Sequence, residues 1–213
     1  MTLTNSATLM NVVVDLSHNN GSVDFAKIKA AGVLGVIHKA TQGISYTDPK
    51  YLSRKQQALD VGLMWGAYHF GTGDDGQQQA QYFLKAVNPG PKDLLVLDFE
   101  ENTSGKSLTL ADAEKFVTYI NQITGTWPGL YSGVSYLTSI LGSVKNPTLA
   151  NCWLWLARYG KEPVAPITWA NWMLWQYTDG INGDEPHTLD GVGACDRDKF
   201  NGTETQLKQL WHD

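Results

Sequence analysis

Two carboxylates stand two residues apart at the end of a strongly apolar segment. The run Leu94–Leu97 consists of branched aliphatic side chains and predicts a buried strand of a parallel sheet. Asp98 and Glu100 follow it, and side chains two apart on a strand project to the same face. Neighbouring carboxylates suit acid–base chemistry on a glycosidic bond, because one can stay ionised while the other is pushed to keep its proton. An isolated D-x-E triplet is equally typical of a solvated loop, so the rest of the chain decides between the two interpretations.

The elements that would position these carboxylates alternate between apolar strands and amphipathic helices over the first two thirds of the chain. Such alternation predicts right-handed βαβ units and a parallel sheet. The predicted strands are Val12–Leu16, Val33–Ala40, Met64–Phe70, Leu94–Phe99, Gly129–Ser132, Cys152–Ala157, Trp172–Tyr177 and Gly193–Asp196. The predicted helices are Asp24–Ala31, Pro49–Val61, Gln77–Val87, Ala111–Ile123 and Val134–Leu141. Because the last connections are rich in Pro and Gly and lack a helical period, we predict an α/β fold: an irregular TIM-like (β/α) barrel of eight strands with about five helices.

Four acidic residues stand at the ends of three predicted strands. Asp15 closes the first strand, Asp98 and Glu100 close the fourth, and Asp196 closes the eighth. The first and eighth strands are neighbours in a closed barrel, so Asp15 and Asp196 should lie side by side at the mouth that carries the D-x-E pair. Four acids at one mouth repel one another, which should raise the pKa of at least one of them. Each acid alone is typical of a cap or a loop, but their joint placement favours an active site.

Composition and charge predict the number of domains and exclude some classes of partner. The 213 residues carry a formal charge of −5 without charge blocks, and they include eight Trp and nine Tyr. We therefore expect one globular domain over residues 1–213 and a monomer, with neither nucleic acid nor an anionic membrane as the main partner. No apolar run is long enough to span a membrane, and the histidine spacing predicts no metal site. Cys152 and Cys195 are predicted to be buried free thiols.

Seven ordered motifs resemble those of the glycoside hydrolase family 25 muramidases, a lysozyme group common among phage endolysins. They are Val14-Asp15-Leu16-Ser17 with Asn19-Asn20-Gly21, Lys39-Ala40-Thr41-Gln42-Gly43, Gly66-Ala67-Tyr68-His69-Phe70, Leu97-Asp98-Phe99-Glu100, Trp155-Leu156-Ala157, Trp175-Gln176-Tyr177, and Asp196 with Phe200-Asn201-Gly202. The likeness extends from about Val12 to Gly202. It implies the same irregular barrel and cleavage of the β-1,4 bond between N-acetylmuramic acid and N-acetylglucosamine in peptidoglycan glycan strands. It also implies that neither a metal nor a cofactor takes part.

Carried over by position, the resemblance gives each acid a role. Glu100 would be the general acid, and Asp98 would act as nucleophile, stabilise the positive charge at the anomeric carbon or orient the substrate's N-acetyl group. Asp15 and Asp196 would shape the local field and hydrogen-bond the pair. To keep its proton, Glu100 should titrate above the ~4.3 of a free glutamate. Attack by Asp98 and attack by the substrate's own acetamide both stay open.

Six residues near predicted strand ends are expected to contact sugars, although aromatic residues on strands are otherwise typical of a core. They are Tyr68, Tyr131, Trp155, Trp175, Gln176 and Tyr177. The segment Asp196-Arg197-Asp198 departs from the family's usual Asp-Leu-Asn, which leaves open the aspartate that faces the site. Asp196 is favoured because it aligns directly.

Two other functions fit part of this pattern. A chitinase-like hydrolase of N-acetylglucosamine polymers usually shows a longer D-x-x-D-x-D-x-E series, and Val96 occupies one of those acid positions here. A non-catalytic carbohydrate-binding module on a decayed enzyme fold would usually lack the acid. Met1–Asn11 show neither a basic nor an apolar signal region. We therefore expect synthesis in the cytoplasm without a Sec-type signal, then action on the cell wall after holin-dependent or other non-classical export, as a phage endolysin or a secretion-system effector.

Overall fold

Eight strands close into a barrel within residues 9–211, which are the residues that the computed structural model describes. The strands are β1 Leu9–Leu16, β2 Gly35–Gln42, β3 Tyr46–Thr47, β4 Met64–Phe70, β5 Leu94–Asp98, β6 Gly129–Gly133, β7 Trp153–Ala157, β8 Leu174–Thr178, β9 Thr188–Leu189, β10 Gly193–Ala194 and β11 Asp196–Asn201. The helices are α1 Phe25–Ala30, α2 Tyr51–Asp60, α3 Gly76–Val87, α4 Leu110–Thr124, α5 Val134–Leu141 and α6 Glu204–Leu210. The short strands β3, β9 and β10 lie outside the barrel wall.

The barrel wall is mixed rather than all parallel. Its strands follow the order β1, β2, β4, β5, β6, β7, β8 and β11, and β11 closes on β1. Each neighbouring pair from β1 through β8 is parallel, whereas β11 runs antiparallel to both β8 and β1. The prediction of an irregular TIM-like barrel is confirmed, and each of the five predicted helices is present within two residues of its predicted bounds. Helix α6 is additional.

The eighth wall strand needs a correction. We predicted it over Gly193–Asp196, ending at Asp196, but it begins at Asp196 and runs to Asn201. The residues before it form a small hairpin of β9 and β10, whose chain reversal uses the positive φ values of Gly191 (91°) and Gly193 (92°). Since β11 is antiparallel, its first residue lies at the mouth where the parallel strands end. Asp196 therefore pairs directly with Asp15, as expected. The expected cause was a strand that ends at Asp196, whereas the actual cause is an antiparallel strand that begins there.

Two apolar layers follow from the period of two along the wall strands. Val13, Ile37 and Val96 point into the barrel, where they form one buried cluster with Leu174 and Phe200. The alternate residues point outward and pack against the helices in a second cluster, which includes Val14, Val36, Leu97, Phe116 and Leu156. Any polar side chain in phase with the inward set must therefore enter the barrel interior.

Helix α6 closes the barrel end opposite the acidic mouth. Thr203 caps its first turn by accepting from Gln206 N, and Leu207 and Trp211 then join the interior cluster. The Trp211 indole Nε1 donates to the Trp65 carbonyl at 3.0 Å. Gly35 begins β2 beneath this indole, and a Cβ added there would meet Trp211 Cζ2 at 3.1 Å. The glycine thus permits the close approach of the indole ring.

Replacing Trp211 by alanine should lower the free energy of unfolding by about 3 to 5 kcal/mol, because it leaves a large cavity among the interior side chains. Trp211 is only 1% exposed and lies at the far end of the barrel from the acids. Urea unfolding measures the change, and kcat of the folded fraction should stay close to that of the unmodified enzyme. Thr205→Ala, an exposed position on the same helix, is the matched control and should change stability by less than about 0.5 kcal/mol. Equal stability of both variants would contradict the packing role of α6.

Three smaller predictions concern the cysteines, a membrane span and the first eleven residues. Cys152 and Cys195 are both free and buried. No helix among residues 9–211 combines the length and apolar composition needed to cross a bilayer. The prediction for the segment Met1–Asn11 falls mainly outside the described residues.

Candidate active site

A polar cavity of about 260 Å³ lies at the barrel mouth where the parallel strands end. Its lining is Asp15, Tyr68, Asp98, Glu100, Tyr131, Trp155, Tyr159, Gln176 and Asp196. All four acids predicted from the strand ends are therefore brought together. Two hollows of about 560 and 690 Å³ lie around the opposite barrel end, and neither is lined by any of these acids.

The alternation of side chains places the D-x-E pair as expected. Asp98 ends β5 in phase with inward-facing Val96, and Glu100 follows two residues later; both line the cavity. Phe99, between them, turns outward and is fully buried, with its ring 5.7 Å from the ring of Tyr136 on α5. The packing of Phe99 into the helical layer thus fixes the orientation of both acids.

A hydrogen-bond network links three sides of the cavity. The hydroxyls of Tyr131 and Tyr159 each donate to Gln176 Oε1 at 2.9 Å. The Gln176 amide Nε2 in turn donates to Asp15 Oδ2 at 2.8 Å. Because both polar atoms of the Gln176 amide are engaged, Asp15 is held against the wall with one oxygen occupied.

Trp155 forms part of the cavity floor rather than an open stacking platform. It is 2% exposed, and its ring meets that of Tyr131 edge-on at a centroid distance of 4.6 Å. Its indole Nε1 donates to Asp198 Oδ1 at 2.7 Å. Asp196 and Asp198 are two residues apart and both face inward: Asp196 lines the cavity, while Asp198 is fully buried. Of the two aspartates, the favoured Asp196 is therefore the one that lines the cavity.

Burial and mutual repulsion favour the protonated forms of these acids. Burial raises the pKa of Asp98 well above its ordinary value, and the charge of Glu100 adds to the shift. Burial also raises the pKa of Glu100, and Asp196 contributes in the same direction. The pKa of Asp196 is raised to about 6 by burial and by the charge of Asp179. Both acids of the D-x-E pair therefore keep their protons to higher pH than ordinary carboxyls do.

Lys39 is the cation that opposes this shift. Its charge lowers the pKa of both Asp98 and Glu100, against the larger effect of burial. Lys39 Nζ donates to Gln42 Oε1 at 2.7 Å and lies 4.9 Å from the centroid of the Phe70 ring. The positive charge of Lys39 thus favours the ionised form of each carboxyl.

Two predicted sugar-contact residues lie outside the cavity. On β8, Gln176 points inward, so Trp175 and Tyr177 on either side of it must point outward. Trp175 Nε1 donates to the Arg158 carbonyl at 2.6 Å, and the Tyr177 hydroxyl donates to the Pro186 carbonyl at 3.2 Å. Both rings are buried in the outer layer, and Lys199 Nζ lies over them. These two assignments are corrected: Gln176 alone of the three lines the cavity.

Sequence reasoning missed Tyr159 and the electrostatic part played by Lys39. Lys39 is two residues beyond inward-facing Ile37 on β2, so the period of two could have identified it. Tyr159 lies in the irregular connection after β7 and is 39% exposed, and no periodic signal marks it.

Among residues 9–211, no group of His, Cys, Asp and Glu side chains is arranged to hold a metal ion.

Glycoside hydrolases use paired carboxyls of this kind, and (β/α) barrels carry their active sites at the carboxyl ends of their strands. The model of the glycosyl hydrolases family 25 matches residues 14–185. The chain therefore belongs to this family, and it is a glycoside hydrolase.

Named relatives agree with this assignment. "Lysozyme M1" of Streptomyces globisporus is 29% identical over 92% of this chain and 70% of its own length. The N,O-diacetylmuramidase of Chalaropsis sp is 30% identical over 78% of this chain and 86% of its own length. The crystal structure of the bacterial lysozyme from Streptomyces coelicolor superimposes with a TM-score of 0.82 at 30% identity, covering 94% of this chain and 97% of that one.

Proposed function

We propose that this enzyme is an N-acetylmuramidase that cleaves the β-1,4 bond between N-acetylmuramic acid and N-acetylglucosamine in peptidoglycan. The observation that carries the proposal is the juxtaposition of Asp98 and Glu100 on one face of a polar cavity that also contains Asp15 and Asp196. The relatives named lysozyme and N,O-diacetylmuramidase support the choice of substrate.

In this proposal Glu100 is the general acid. It is the less buried member of the pair, so its carboxyl can reach a glycosidic oxygen seated in the cavity. Its raised pKa keeps a proton available at higher pH than an ordinary glutamate would. The proton passes to the leaving oxygen as the bond to the anomeric carbon breaks.

Asp98 faces the positive charge that then develops on the sugar ring. In the free site, Asp98 Oδ1 is buried without a hydrogen-bond donor among the described residues. An unpaired oxygen of this kind is costly at rest and becomes favourable next to an oxocarbenium-like centre. Asp98 serves either as nucleophile or as the group that stabilises an acetamide attack, and both routes are compatible with its position.

Mass spectrometry of the fragments released from purified peptidoglycan tests the proposal. The muropeptides should carry muramic acid at their new reducing ends, which borohydride reduction converts to muramitol. Glucosaminitol ends, free peptides or anhydro-sugars would each identify a different reaction and overturn it. N-acetylglucosamine oligomers are the control substrate, since their faster hydrolysis would favour a chitinase-like enzyme.

A further inference from the structure

The Gln176 amide lies at the centre of the hydrogen-bond network in the cavity. Gln176 is 4% exposed, and both of its polar atoms have partners. Its Oε1 accepts from the hydroxyls of Tyr131 and Tyr159, each at 2.9 Å, and its Nε2 donates to Asp15 Oδ2 at 2.8 Å. These partners come from β6, the connection after β7 and β1, and all of them line the cavity. One side chain is therefore bonded to three of the groups that a bound sugar would meet.

The Asp15 side of the network gives the amide its orientation. A carboxylate oxygen only accepts, and the amide nitrogen is the atom of Gln176 that can donate to it. A reversed amide would place Oε1 against Asp15 Oδ2 at 2.8 Å, which brings two acceptors into contact unless that oxygen carries a hydrogen. In the observed orientation no such hydrogen is needed. The amide oxygen then faces the two tyrosines, and each hydroxyl donates its hydrogen to it.

This orientation decides what the tyrosines offer to a ligand. A tyrosine hydroxyl has a single hydrogen to donate, and its oxygen can also accept. Since the hydrogens of Tyr131 and Tyr159 are given to Gln176, both hydroxyls face a ligand with their lone pairs. The indole of Trp155 is engaged in the same way, because its Nε1 donates to Asp198 Oδ1 at 2.7 Å. This side of the cavity therefore offers hydrogen-bond acceptors rather than donors.

The two hydroxyls are anchored differently. The Tyr131 ring is on β6 and packs edge-on against Trp155 at a centroid distance of 4.6 Å. Tyr159 is 39% exposed and belongs to an irregular connection, and its hydroxyl is anchored by the bond to Gln176. Without an acceptor at position 176, both hydrogens would be free to turn toward a ligand. The polarity of this wall is thus a property of Gln176.

We propose that Gln176 is a positioning residue that holds Tyr131 and Tyr159 as hydrogen-bond acceptors for the substrate. The ligand they fit is an uncharged sugar ring that donates a hydroxyl or an amide N–H to the tyrosine oxygens. A sugar with a carboxylate at that place has only acceptors to offer, and it would also meet the negative charge of Asp15. The inference rests on the proposed function for the identity of the glycan and adds the direction of the hydrogen bonds that bind it.

Binding of monosaccharide analogues tests this direction. NMR titrations of the unmodified protein would compare N-acetylglucosamine with analogues in which one hydroxyl at a time is replaced by hydrogen or by fluorine. Both replacements remove a donor, but fluorine keeps a weak acceptor that would face the tyrosine oxygens. At the hydroxyl that contacts them, each replacement should weaken binding by about 3- to 10-fold, fluorine at least as much as hydrogen.

Two results of these titrations would overturn the proposal. Tighter binding of the fluoro analogue than of the deoxy analogue at the sensitive position would mean that the tyrosines donate, as they would beside a reversed amide. Equal binding of all the analogues would mean that no sugar hydroxyl contacts these oxygens. Neither comparison depends on a variant that has to fold.

The Gln176→Met variant tests the role of the amide itself. Methionine has a similar length but does not provide the amide oxygen, so the tyrosine hydrogens become available to a ligand. We expect the order to reverse in this variant, with the fluoro analogue binding more tightly than the deoxy analogue. Gln122→Met, at an exposed position on α4, is the matched control and should keep the order of the unmodified protein. A purely structural role of Gln176 would weaken all analogues alike, and an unchanged order would contradict the proposal.

Kinetics on solubilised glycan strands give a second readout. Tyr159→Phe removes one acceptor and should raise KM by about 3- to 10-fold, more than it lowers kcat. Tyr119→Phe, on α4 and outside the cavity, is the control and should leave KM unchanged. An unchanged KM in both Tyr131→Phe and Tyr159→Phe would refute the acceptor role.

The binding experiment separates this inference from the proposed function, because a monosaccharide binds without being cleaved. If peptidoglycan is not cleaved but the fluoro and deoxy analogues follow the expected order, only the proposed function fails. If peptidoglycan is cleaved and the fluoro analogue binds more tightly in the unmodified protein, only the present inference fails.

Discussion

Replacing Glu100 by glutamine should lower kcat on peptidoglycan by about 10³-fold while leaving Tm nearly unchanged. The glutamine amide has the size and shape of the carboxyl but has no acidic proton to give to the leaving oxygen. Glu100 is only partly buried and lies beyond the end of β5, so the wall hydrogen bonds do not depend on it. Turbidity loss of cell-wall suspensions and release of reducing ends measure the rate, and circular dichroism measures the fold.

Glu101 offers a matched control for this substitution. It is the next residue along the chain, is exposed and does not line the cavity. Glu101→Gln makes the same chemical change and should keep kcat within about twofold. Wild-type turnover by Glu100→Gln, or equal losses in the two variants, would remove Glu100 from the role of acid.

The pH dependence of kcat follows from the same assignment. A general acid works only while it is protonated, so activity should decline as pH rises through the raised pKa of Glu100. Because burial and Asp196 raise this pKa, the decline should begin above the ordinary glutamate range. In Glu100→Gln the residual rate should lose this alkaline limb.

The D-x-E pair shows how much the sequence alone could reveal. The apolar run before Asp98 identified a buried strand, and the period of two placed Glu100 on the same face; both features are present. The same rule, applied strictly, would have rejected Trp175 and Tyr177, which flank inward-facing Gln176. The motif resemblance predicted sugar contacts for all three neighbours. On a strand, either Gln176 or the pair Trp175 and Tyr177 can face the cavity, but not both.

Other features depend on contacts that local patterns do not encode. The direction of β11 is set by the β9–β10 hairpin and by its pairing with β1 and β8, so a short apolar segment was mistaken for the wall strand. Tyr159 reaches the site from an irregular connection, through a hydroxyl bond to Gln176.

The second large effect is expected at Asp98, where Asn should lower kcat by about 10²- to 10³-fold. The amide keeps the shape of the carboxylate but loses the negative charge that faces the anomeric carbon, and it cannot form a glycosyl-enzyme. Kinetics on solubilised glycan strands measure kcat and KM separately, and KM should change much less than kcat. Asp190→Asn, at an exposed residue outside the cavity, is the control and should leave both constants unchanged.

The same substitution should raise stability. Asp98 is 5% exposed, and its Oδ1 has no donor among the described residues, so the acid is held at a cost to the fold. Removing the ionisable group should increase Tm by about 2 to 4 °C for each kcal/mol recovered in a chain of this size. The gain should be larger at neutral than at acidic pH, because the pKa of Asp98 is raised by burial and by Glu100. A variant that loses activity and also melts lower would indicate that Asp98 supports the barrel rather than the reaction. A loss of kcat with a rise in Tm would show that Asp98 contributes to the reaction and lowers the stability of the fold.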